Sequence, residues 1–169
     1  MSDVVLVDEH DRPTGVMEKQ LAHVRGALHR AISVFIFDSA GERMLIQRRA
    51  LDKYHSGGLW SNACCSHPAP GEEPLDAAHR RLREELGFDC PLEFVFSFLY
   101  RAQVGSLIEH ELDHVFVGRC DPVLNADPSE IDSTSWMPVP ELVQDVGSHP
   151  EKYSVWLAIA LPRLLSKES

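Results

Sequence analysis

The sequence has no apolar run long enough to cross a membrane. Its two most apolar stretches, 31–37 and 155–161, fall far short of the roughly 20 residues that a membrane-spanning helix needs. Near the start of the chain Asp3, Asp8 and Glu9 interrupt any apolar run, and no basic segment precedes one. A secretory signal is therefore not predicted, and we expect a cytoplasmic protein that does not insert into membranes.

Basic patches are also scarce. The 26 acidic residues outnumber the 16 Lys and Arg residues and give a net charge of −10. Binding to nucleic acid or to an anionic membrane surface depends on basic patches, so neither partner is predicted. The chain has only four cysteines, and two of them, Cys64 and Cys65, are neighbours. This spacing is unsuited to a disulfide framework and favours thiols that stay reduced.

The composition is that of an ordinary globular protein, with 44% hydrophobic and 25% charged residues. A chain of 169 residues fits one compact domain, and we predict a single domain over 1–169. The predicted strands are flanked by a few helices without regular βαβ alternation, which favours the α/β class, as an α/β sandwich with a mixed sheet. We expect a monomer or a homodimer.

Residue patterning predicts the individual elements, because strands show β-branched or alternating residues and helices show apolar residues at helical spacing. The predicted strands lie at 4–7, 31–37, 43–49, 92–104, 107–119 and 134–137. The predicted helices lie at 74–86, 140–146 and 153–165. We expect 31–37 to be a central strand with 43–49 as its hairpin partner. A turn is predicted at 8–15, and 92–104 is expected to pair antiparallel with 107–119.

The helix at 74–86 has the clearest boundaries, because Pro74 suits a first helical turn and Gly87 suits a C-terminal cap. Its predicted apolar stripe consists of Leu75, Ala78, Leu82 and Leu86. Glu85 flanks this stripe, whereas Glu84 points further towards solvent. The preceding loop, 52–71, is long and rich in Gly, Ser, His and Pro. Such loops tend to carry function, and we place the active-site loop here.

Two carboxylates suggest a metal site. Glu109 and Glu111 are two apart in a predicted strand, so both project from one face and their repulsion requires a counter-charge. Three imidazoles, His23, His29 and His67, lie near turns or strand edges. Together the five residues offer nitrogen and oxygen donors that suit six-coordinate Mn²⁺, Mg²⁺ or Zn²⁺ with one open position. The alternative is that each histidine only packs or faces solvent, and the spacing does not decide between the two.

The segment 61–68, Ser-Asn-Ala-Cys-Cys-Ser-His-Pro, places a thiol two residues from a potential metal ligand. A cysteine beside a metal or a cation can ionise, and we predict that Cys65 is the reactive one. The other cysteines, Cys64, Cys90 and Cys120, are predicted to be small buried hydrophobic residues. Basic residues around this segment suit a small anionic ligand, although they equally suit a solvated helix face. These residues are Arg48, Arg49, Lys53, Arg80, Arg81 and Arg83.

Four segments together resemble the Nudix-fold isopentenyl-diphosphate isomerases of type 1, over nearly the whole chain. They are 61–68, 80–87 (Arg-Arg-Leu-Arg-Glu-Glu-Leu-Gly), 98–102 (Phe-Leu-Tyr-Arg-Ala) and 109–111 (Glu-His-Glu). The signature of Nudix hydrolases is kept at Glu72, Arg80, Leu82, Glu84, Glu85 and Gly87. It is broken at two positions, where Ser66 replaces a glycine and Arg81 replaces a glutamate. The isomerases share these departures, which weaken the metal cluster that activates water for hydrolysis.

The resemblance implies interconversion of isopentenyl diphosphate and dimethylallyl diphosphate, without a redox cofactor. Cys65 and Glu111 match the opposed acid and base, which act on opposite faces of the substrate, and Tyr100 matches a hydroxyl that assists proton delivery. The implied ligands of a divalent metal are His23, His29, His67, Glu109 and Glu111. Glu111 therefore has two implied roles.

The resemblance also implies the contacts to a small-molecule diphosphate substrate. The implied basic contacts are Lys19, Arg49, Lys53 and Arg81, and a second Mg²⁺ would bridge Glu85 and the phosphate oxygens. Trp156 matches an indole that covers the reacting carbons, with a core aromatic as the alternative. Two other functions remain open from the residues alone, a Nudix hydrolase of a small diphosphate compound and a non-catalytic metal-binding domain.

Overall fold

A computed structural model describes residues 2–53 and 56–168. Its strands are β1 (Asp3–Val7), β2 (Pro13–Glu18), β3 (His29–Phe37), β4 (Arg43–Arg49), β5 (Trp60–Asn62), β6 (Cys64–Ser66), β7 (Glu93–Val104), β8 (Leu107–Arg119) and β9 (Ile131–Pro138). Its helices are α1 (Lys19–Arg25), α2 (Pro74–Leu86), α3 (Val139–Ser148) and α4 (Val155–Glu168), with a 3₁₀ turn at Pro150–Lys152. The fold is mixed α/β, as predicted.

Strand β3 lies at the centre of the sheet that these strands form. Along one edge it pairs in parallel with β8, in a register that runs from His29 opposite Glu111 to Phe37 opposite Arg119. It also pairs antiparallel with three further strands, β1, β6 and β4. β8 in turn pairs antiparallel with β7. The parallel and antiparallel pairs make the sheet mixed, and the β3–β8 register sets His29 beside Glu111.

The sheet is covered on both faces, so the described chain is an α/β sandwich. In β3, Phe35 and Phe37 pack towards α3 and α4, where Leu157 is fully buried. The alternate residues Val34 and Ile36 pack towards α2. Because strand side chains alternate between faces, one strand supplies both cores. Complete burial of each such side chain contributes about 1.5–3 kcal/mol.

Helix α2 begins at Pro74 and is followed by Gly87, which has φ 72° and donates its N–H to the Arg83 carbonyl oxygen. The predicted boundaries are therefore confirmed. The segment after β8 is hydrogen-bonded to the C-terminal end of α2, because the N–H of Asn125 donates to the Leu86 carbonyl oxygen over 2.8 Å. Of the predicted apolar stripe Ala78, Leu82 and Leu86 are buried, but Leu75 is 41% exposed. That part of the prediction is wrong, because Leu75, in the first turn of the helix, stays partly exposed to solvent.

Several elements differ from the sequence prediction. The predicted turn at 8–15 already contains the start of β2 at Pro13, and α1, which holds Lys19 and His23, was not predicted. The loop predicted at 52–71 contains β5 and β6, each of three residues. Such short strands carry too few residues to show an alternation.

Strand β4 pairs with β3 only at Phe37 and Met44, whereas β9 accompanies it over its whole length. The predicted hairpin is therefore confined to the turn. Strand β9 and helix α3 each extend beyond their predicted bounds, and α4 begins at Val155 rather than Tyr153. Met1, Tyr54, His55 and Ser169 lie outside the described residues, and a single domain over 1–169 stays a prediction. No helix in the described chain combines the length and apolar character needed to cross a membrane.

Residues 125–127 are hydrogen-bonded to the end of α2 through the N–H groups of Asn125 and Asp127, so we expect Gly87→Ala to lower the stability of the fold strongly. A Cβ at Gly87 would lie 2.8 Å from the Asn125 Cβ and 2.9 Å from its carbonyl oxygen. We expect a loss of about 3 kcal/mol, from left-handed backbone strain and the clash together, measured by urea unfolding. The control is Gly71→Ala, which has φ 82° but open space around its Cβ and should lose about 1 kcal/mol. Equal losses would contradict a role for the Asn125 contact.

Candidate active site

Strand pairing brings the predicted histidines and carboxylates together. Glu109 and Glu111 lie buried along one face of β8, as their spacing predicted, and Asp113 is buried beside them. His29 is the register partner of Glu111 on β3, while His23 comes from α1 and His67 follows β6. Ligand atoms of His23, His29, His67 and Glu111 all lie within 4.8 Å of one another. Such a group of three imidazoles and one carboxylate could hold a metal ion.

The three imidazoles converge on one oxygen of Glu111. Its Oε2 lies 3.0 Å from Nε2 of both His29 and His67 and 3.7 Å from Nε2 of His23. In His23 and His29 the Nδ1–H donates to a backbone carbonyl oxygen, that of Lys19 and that of Ala27 respectively. A neutral ring that donates from Nδ1 has a lone pair on Nε2. When a ring is neutral, this lone pair faces the Glu111 oxygen, and a cation between the two would stabilise the arrangement, so the residues fit a divalent metal.

The electrostatic surroundings keep Glu111 ionised. Burial raises its pKa, but the surrounding imidazoles, of which those of His29 and His67 lie within hydrogen-bonding distance, more than offset burial and hold the pKa of Glu111 well below its ordinary value. Burial lowers the pKa of His67 to about 4, so its imidazole is neutral and available as a ligand. Burial lowers the pKa of His29, but the Glu111 carboxylate raises it by more, so the pKa lies above its ordinary value. Metals bind a carboxylate and neutral nitrogens, so an ion at this site would displace the proton that the raised pKa favours on His29.

Glu109 lies beside this group rather than within it. It is 1% exposed, and burial together with the charge of Glu111 raises its pKa to about 8. Its assignment as a metal ligand stays a prediction. Tyr100, opposite Glu111 on β7, donates its hydroxyl to Glu111 Oε1 over 2.8 Å. Burial and the charge of Glu111 raise the pKa of Tyr100 well above its ordinary value, so the hydroxyl keeps its proton.

The thiol of Cys65 faces the same cavity as Glu111. It donates to Asn62 Oδ1 over 3.2 Å and accepts from Trp156 Nε1 over 2.8 Å. Burial raises the pKa of Cys65 to about 12, although Ser61 and Arg49 act in the opposite direction. The group is therefore a protonated thiol in the free protein. The indole N–H is placed to stabilise negative charge on the sulfur when that proton leaves.

Cys64 points away from this cavity, because neighbouring residues on β6 alternate between faces. It is fully buried, and its thiol donates to Glu85 Oε2 over 3.1 Å. Glu85 is also buried and lies 3.4 Å from Nη2 of Arg81. Its exposed neighbour Glu84 contacts Arg80 and Arg81 from outside. The two cysteines thus have different surroundings, and the predicted orientations of the two glutamates are confirmed.

The cavity joins the thiol and the carboxylate to a cluster of cations. It has a volume of about 50 Å³, and Cys65, His67 and Glu111 lie in its wall with Trp156. The four cations predicted from the resemblance line the same space, namely Lys19, Arg49, Lys53 and Arg81. The Arg49 guanidinium lies 5.2 Å from the centre of the Trp156 ring. A small anion with an apolar tail is the ligand that this combination suits.

Other residues of the site were not predicted from the sequence. Asn62 is buried and donates from Nδ2 to two backbone carbonyls, which fixes the oxygen that contacts Cys65. Glu130 lines the cavity from the loop before β9 and pairs with Lys53. Ser33 donates to Asp113 Oδ2 over 2.7 Å, and both lie in the cavity wall. Asn62 lies within the 61–68 segment, but nothing in the local sequence indicates the contacts that Asn62, Glu130 and Ser33 make.

The loop and α2 are joined through Glu72 and Arg80. Arg80 donates two hydrogen bonds to the Glu72 carboxylate, over 2.8 and 2.9 Å, and this pairing holds the loop against the helix. The carboxylate that Nudix hydrolases carry at the next position is replaced by Arg81, whose Nη2 contacts both Glu85 and Glu130. A cation therefore stands among these carboxylates.

Residues 27–157 match the NUDIX domain model. This match, together with the sandwich fold and the α2 geometry, shows that the chain is a Nudix protein. It is 60% identical to isopentenyl-diphosphate Delta-isomerase 2 of Aromatoleum aromaticum, over 98% of this chain and 88% of that protein. It is 53% identical to the isopentenyl-diphosphate Delta-isomerase of Pectobacterium atrosepticum, over 97% and 92% of the two chains. The chain belongs to the isopentenyl-diphosphate Delta-isomerase family.

Solved structures support the fold. A Deinococcus radiodurans protein superposes with a TM-score of 0.80 at 20% identity, over 96% of this chain and 98% of its own. The MutT protein of Methanosarcina mazei superposes with a TM-score of 0.69 at 15% identity, over 84% and 96%. At these identities the likeness concerns the arrangement of strands and helices, which confirms the predicted Nudix-like α/β sandwich.

The geometry around Glu111 predicts binding of one divalent ion that depends on His67. We expect His67→Gln to weaken Mn²⁺ binding, measured by titration calorimetry, by about tenfold or more, because one converging nitrogen is lost. His110→Gln is the control, since His110 lies on the opposite face of β8 and contacts the Gly26 carbonyl. Equal weakening in both variants would contradict a site centred on Glu111.

Proposed function

We propose that this protein interconverts isopentenyl diphosphate and dimethylallyl diphosphate by protonation and deprotonation of the substrate carbons. The observation that carries the proposal is a single cavity that holds a protonated thiol, an ionised carboxylate and four basic residues. Family membership supports the same reaction, because the curated relatives are named isopentenyl-diphosphate Delta-isomerases. The product would feed isoprenoid biosynthesis.

The reaction moves one C=C bond by one position. A proton adds to one alkene carbon, and a proton leaves the carbon on the other side of the resulting tertiary cation, so no electrons are gained or lost. Such an exchange needs one group that holds a proton and one that accepts it. We propose Cys65 and Glu111 for these roles, and each reverses its role in the opposite reaction. Tyr100, hydrogen-bonded to Glu111, would carry protons to and from that carboxylate.

The surroundings of the carbons would protect the cationic intermediate. Trp156 is 4% exposed and lies in the cavity wall beside Cys65. We propose that its indole covers the reacting carbons and excludes water, which would otherwise trap the cation. An aromatic face also stabilises a cation by about 2 kcal/mol when both are desolvated.

The four basic residues would bind the diphosphate. Arg49 is 6% exposed, so its interaction with an anion is little screened by water. We assign Lys19, Arg49, Lys53 and Arg81 to the phosphate oxygens. Glu85 would hold a Mg²⁺ that accompanies the diphosphate, because its carboxylate contacts Arg81, one of these four basic residues. Hard divalent cations prefer such oxygen ligands.

The second divalent ion, Mn²⁺, Mg²⁺ or Zn²⁺, would be held by His23, His29, His67 and Glu111, with Glu109 as the further ligand. When bound, the metal supplies positive charge that fixes the orientation of the Glu111 carboxylate. The free thiols Cys64, Cys65, Cys90 and Cys120 support a reducing compartment, and we propose the cytoplasm.

Hydrolysis of a diphosphate is the weaker alternative. A glutamate at position 81 would add a metal ligand, whereas the guanidinium of Arg81 contacts both Glu85 and Glu130 and offsets part of their negative charge, so fewer divalent ions can be held here. Water activation in metal-dependent hydrolysis needs ions at such positions. A protein with Arg81 here is better suited to bind a diphosphate than to cleave it.

The direct test is conversion of isopentenyl diphosphate by purified protein supplied with Mg²⁺ and Mn²⁺. We expect dimethylallyl diphosphate without phosphate release, and loss of activity after prolonged chelation, restored by the added ions. Product is followed by NMR and phosphate by a colorimetric assay. Phosphate release without isomerisation would favour the hydrolase, and neither product would contradict both enzymatic functions.

The two cysteines provide a matched pair of variants. Cys65→Ser should lower kcat by about hundredfold or more, because a hydroxyl is a far poorer partner in proton transfer than a thiol. Cys64→Ser keeps a donor for Glu85 and should stay within about threefold of the wild type. Thermal unfolding checks that both variants fold. Similar losses of kcat in the two variants would contradict the assignment of Cys65.

A further inference from the structure

The cation cluster contains an anion for which the proposed reaction has no use. Glu130 lies in the cavity wall, where its carboxylate forms an ion pair and a hydrogen bond with the Lys53 ammonium. Its other oxygen, Oε1, lies 3.6 Å from Nη2 of Arg81. Glu130 therefore contacts two of the four cations assigned to the diphosphate.

The backbone holds this carboxylate in place. The Glu130 carbonyl accepts a hydrogen bond from the Ala50 N–H over 3.0 Å, and its N–H donates to the Asp127 carbonyl over 3.0 Å. The Lys53 N–H donates to the Ala50 carbonyl over 3.2 Å. The carboxylate and the ammonium are thus both anchored at Ala50, and their pairing is a feature of the fold rather than a chance contact of two long side chains.

Electrostatic repulsion explains why an anion stabilises the free cavity. Burial lowers the pKa of Lys19, and the neighbouring charge of Lys53 lowers it further. Burial raises the pKa of Glu130, but the Lys53 ammonium more than offsets this and holds the pKa below its ordinary value. Glu130 is therefore ionised and reduces the repulsion among cations that face one small space.

Glu130 differs from Glu85, the buried carboxylate that also contacts Arg81. Glu85 is 3% exposed and accepts a hydrogen bond from the Cys64 thiol behind the cavity wall. The side chain of Glu130 is 26% exposed and lies in the wall itself. It engages the same Lys53 and Arg81 donors that phosphate oxygens would use. An incoming phosphate group and this carboxylate therefore compete for the same hydrogen bonds.

We propose that Glu130 is an internal anion that occupies a phosphate subsite in the free enzyme and is displaced from Lys53 and Arg81 when a diphosphate binds. This proposal rests on the proposed function in one respect, since it assumes that the ligand of the cavity carries a diphosphate group. It makes Glu130 a residue that sets affinity, because every diphosphate bound must first replace the carboxylate. Substrate and product both carry this group, so Glu130 weakens the binding of both and hastens product release.

The test measures binding of inorganic pyrophosphate by titration calorimetry, in buffer with a chelator and again with excess Mg²⁺. We expect Glu130→Gln to bind pyrophosphate about fivefold more tightly than the wild type in both conditions, since one competing charge is removed. Glu130→Ala should tighten binding as well, which excludes new hydrogen bonds from the glutamine amide as the cause.

The matched control is Glu84→Gln. Glu84 Oε1 lies 3.0 Å from Nη1 of Arg81, so this variant also removes one negative charge from a contact of Arg81, but outside the cavity. It should stay within about twofold of the wild type. Equal tightening in Glu84→Gln and Glu130→Gln would overturn the proposal, because overall charge would then explain the effect.

Unchanged or weaker binding in Glu130→Gln would also overturn the proposal, and weakening in Mg²⁺ alone would assign Glu130 to the metal instead. Thermal unfolding provides a second readout on the same samples, in which pyrophosphate should raise the Tm of Glu130→Gln by more than that of the wild type. Isomerisation by the wild type is assayed in parallel. Failure of that assay would reject the proposed function, whereas the pyrophosphate series tests Glu130 by itself.

Discussion

The site depends on one buried carboxylate, that of Glu111. Three imidazoles meet at its Oε2 and the Tyr100 hydroxyl binds its Oε1. An ionised carboxylate that is 7% exposed is stable only when other groups compensate for lost hydration. The histidines, the tyrosine and the expected metal ion supply that compensation, and in doing so they fix the orientation of the group that we propose exchanges protons with the substrate.

The charged groups around the cavity form two sets, each of which pairs carboxylates with groups that compensate their charge. At the Glu111 end the carboxylates lie among imidazoles, and at the other end the basic residues face Glu85 and Glu130. The Cys65 thiol and the Trp156 indole, joined by a hydrogen bond, lie in the wall of the same cavity. With the diphosphate on the four basic residues, as we propose, the short hydrocarbon portion of the substrate would lie in the same small cavity as the thiol and Glu111.

Much of this arrangement could be predicted from the sequence, namely the parts that depend on local interactions along the chain. Glu109 and Glu111 share a face because strand alternation is local, and α2 was bounded correctly because Pro74 and Gly87 act locally. The convergence of the histidines depends on contacts between distant segments, such as the β3–β8 register that sets His29 beside Glu111. No local pattern reveals these contacts, and only the resemblance implied the convergence. Asn62 and Glu130 were missed because their importance arises from contacts with distant segments.

The central claim is that two separate groups exchange protons with the substrate. Isomerisation in D₂O, followed by NMR of the product, tests this claim most directly. Both the Cys65 thiol and the Tyr100–Glu111 pair exchange with solvent, so the account predicts that dimethylallyl diphosphate carries a single deuterium in the newly formed methyl group after one turnover. Product formed without deuterium would contradict the account, because the migrating hydrogen would then have stayed with the substrate or with one shared carrier.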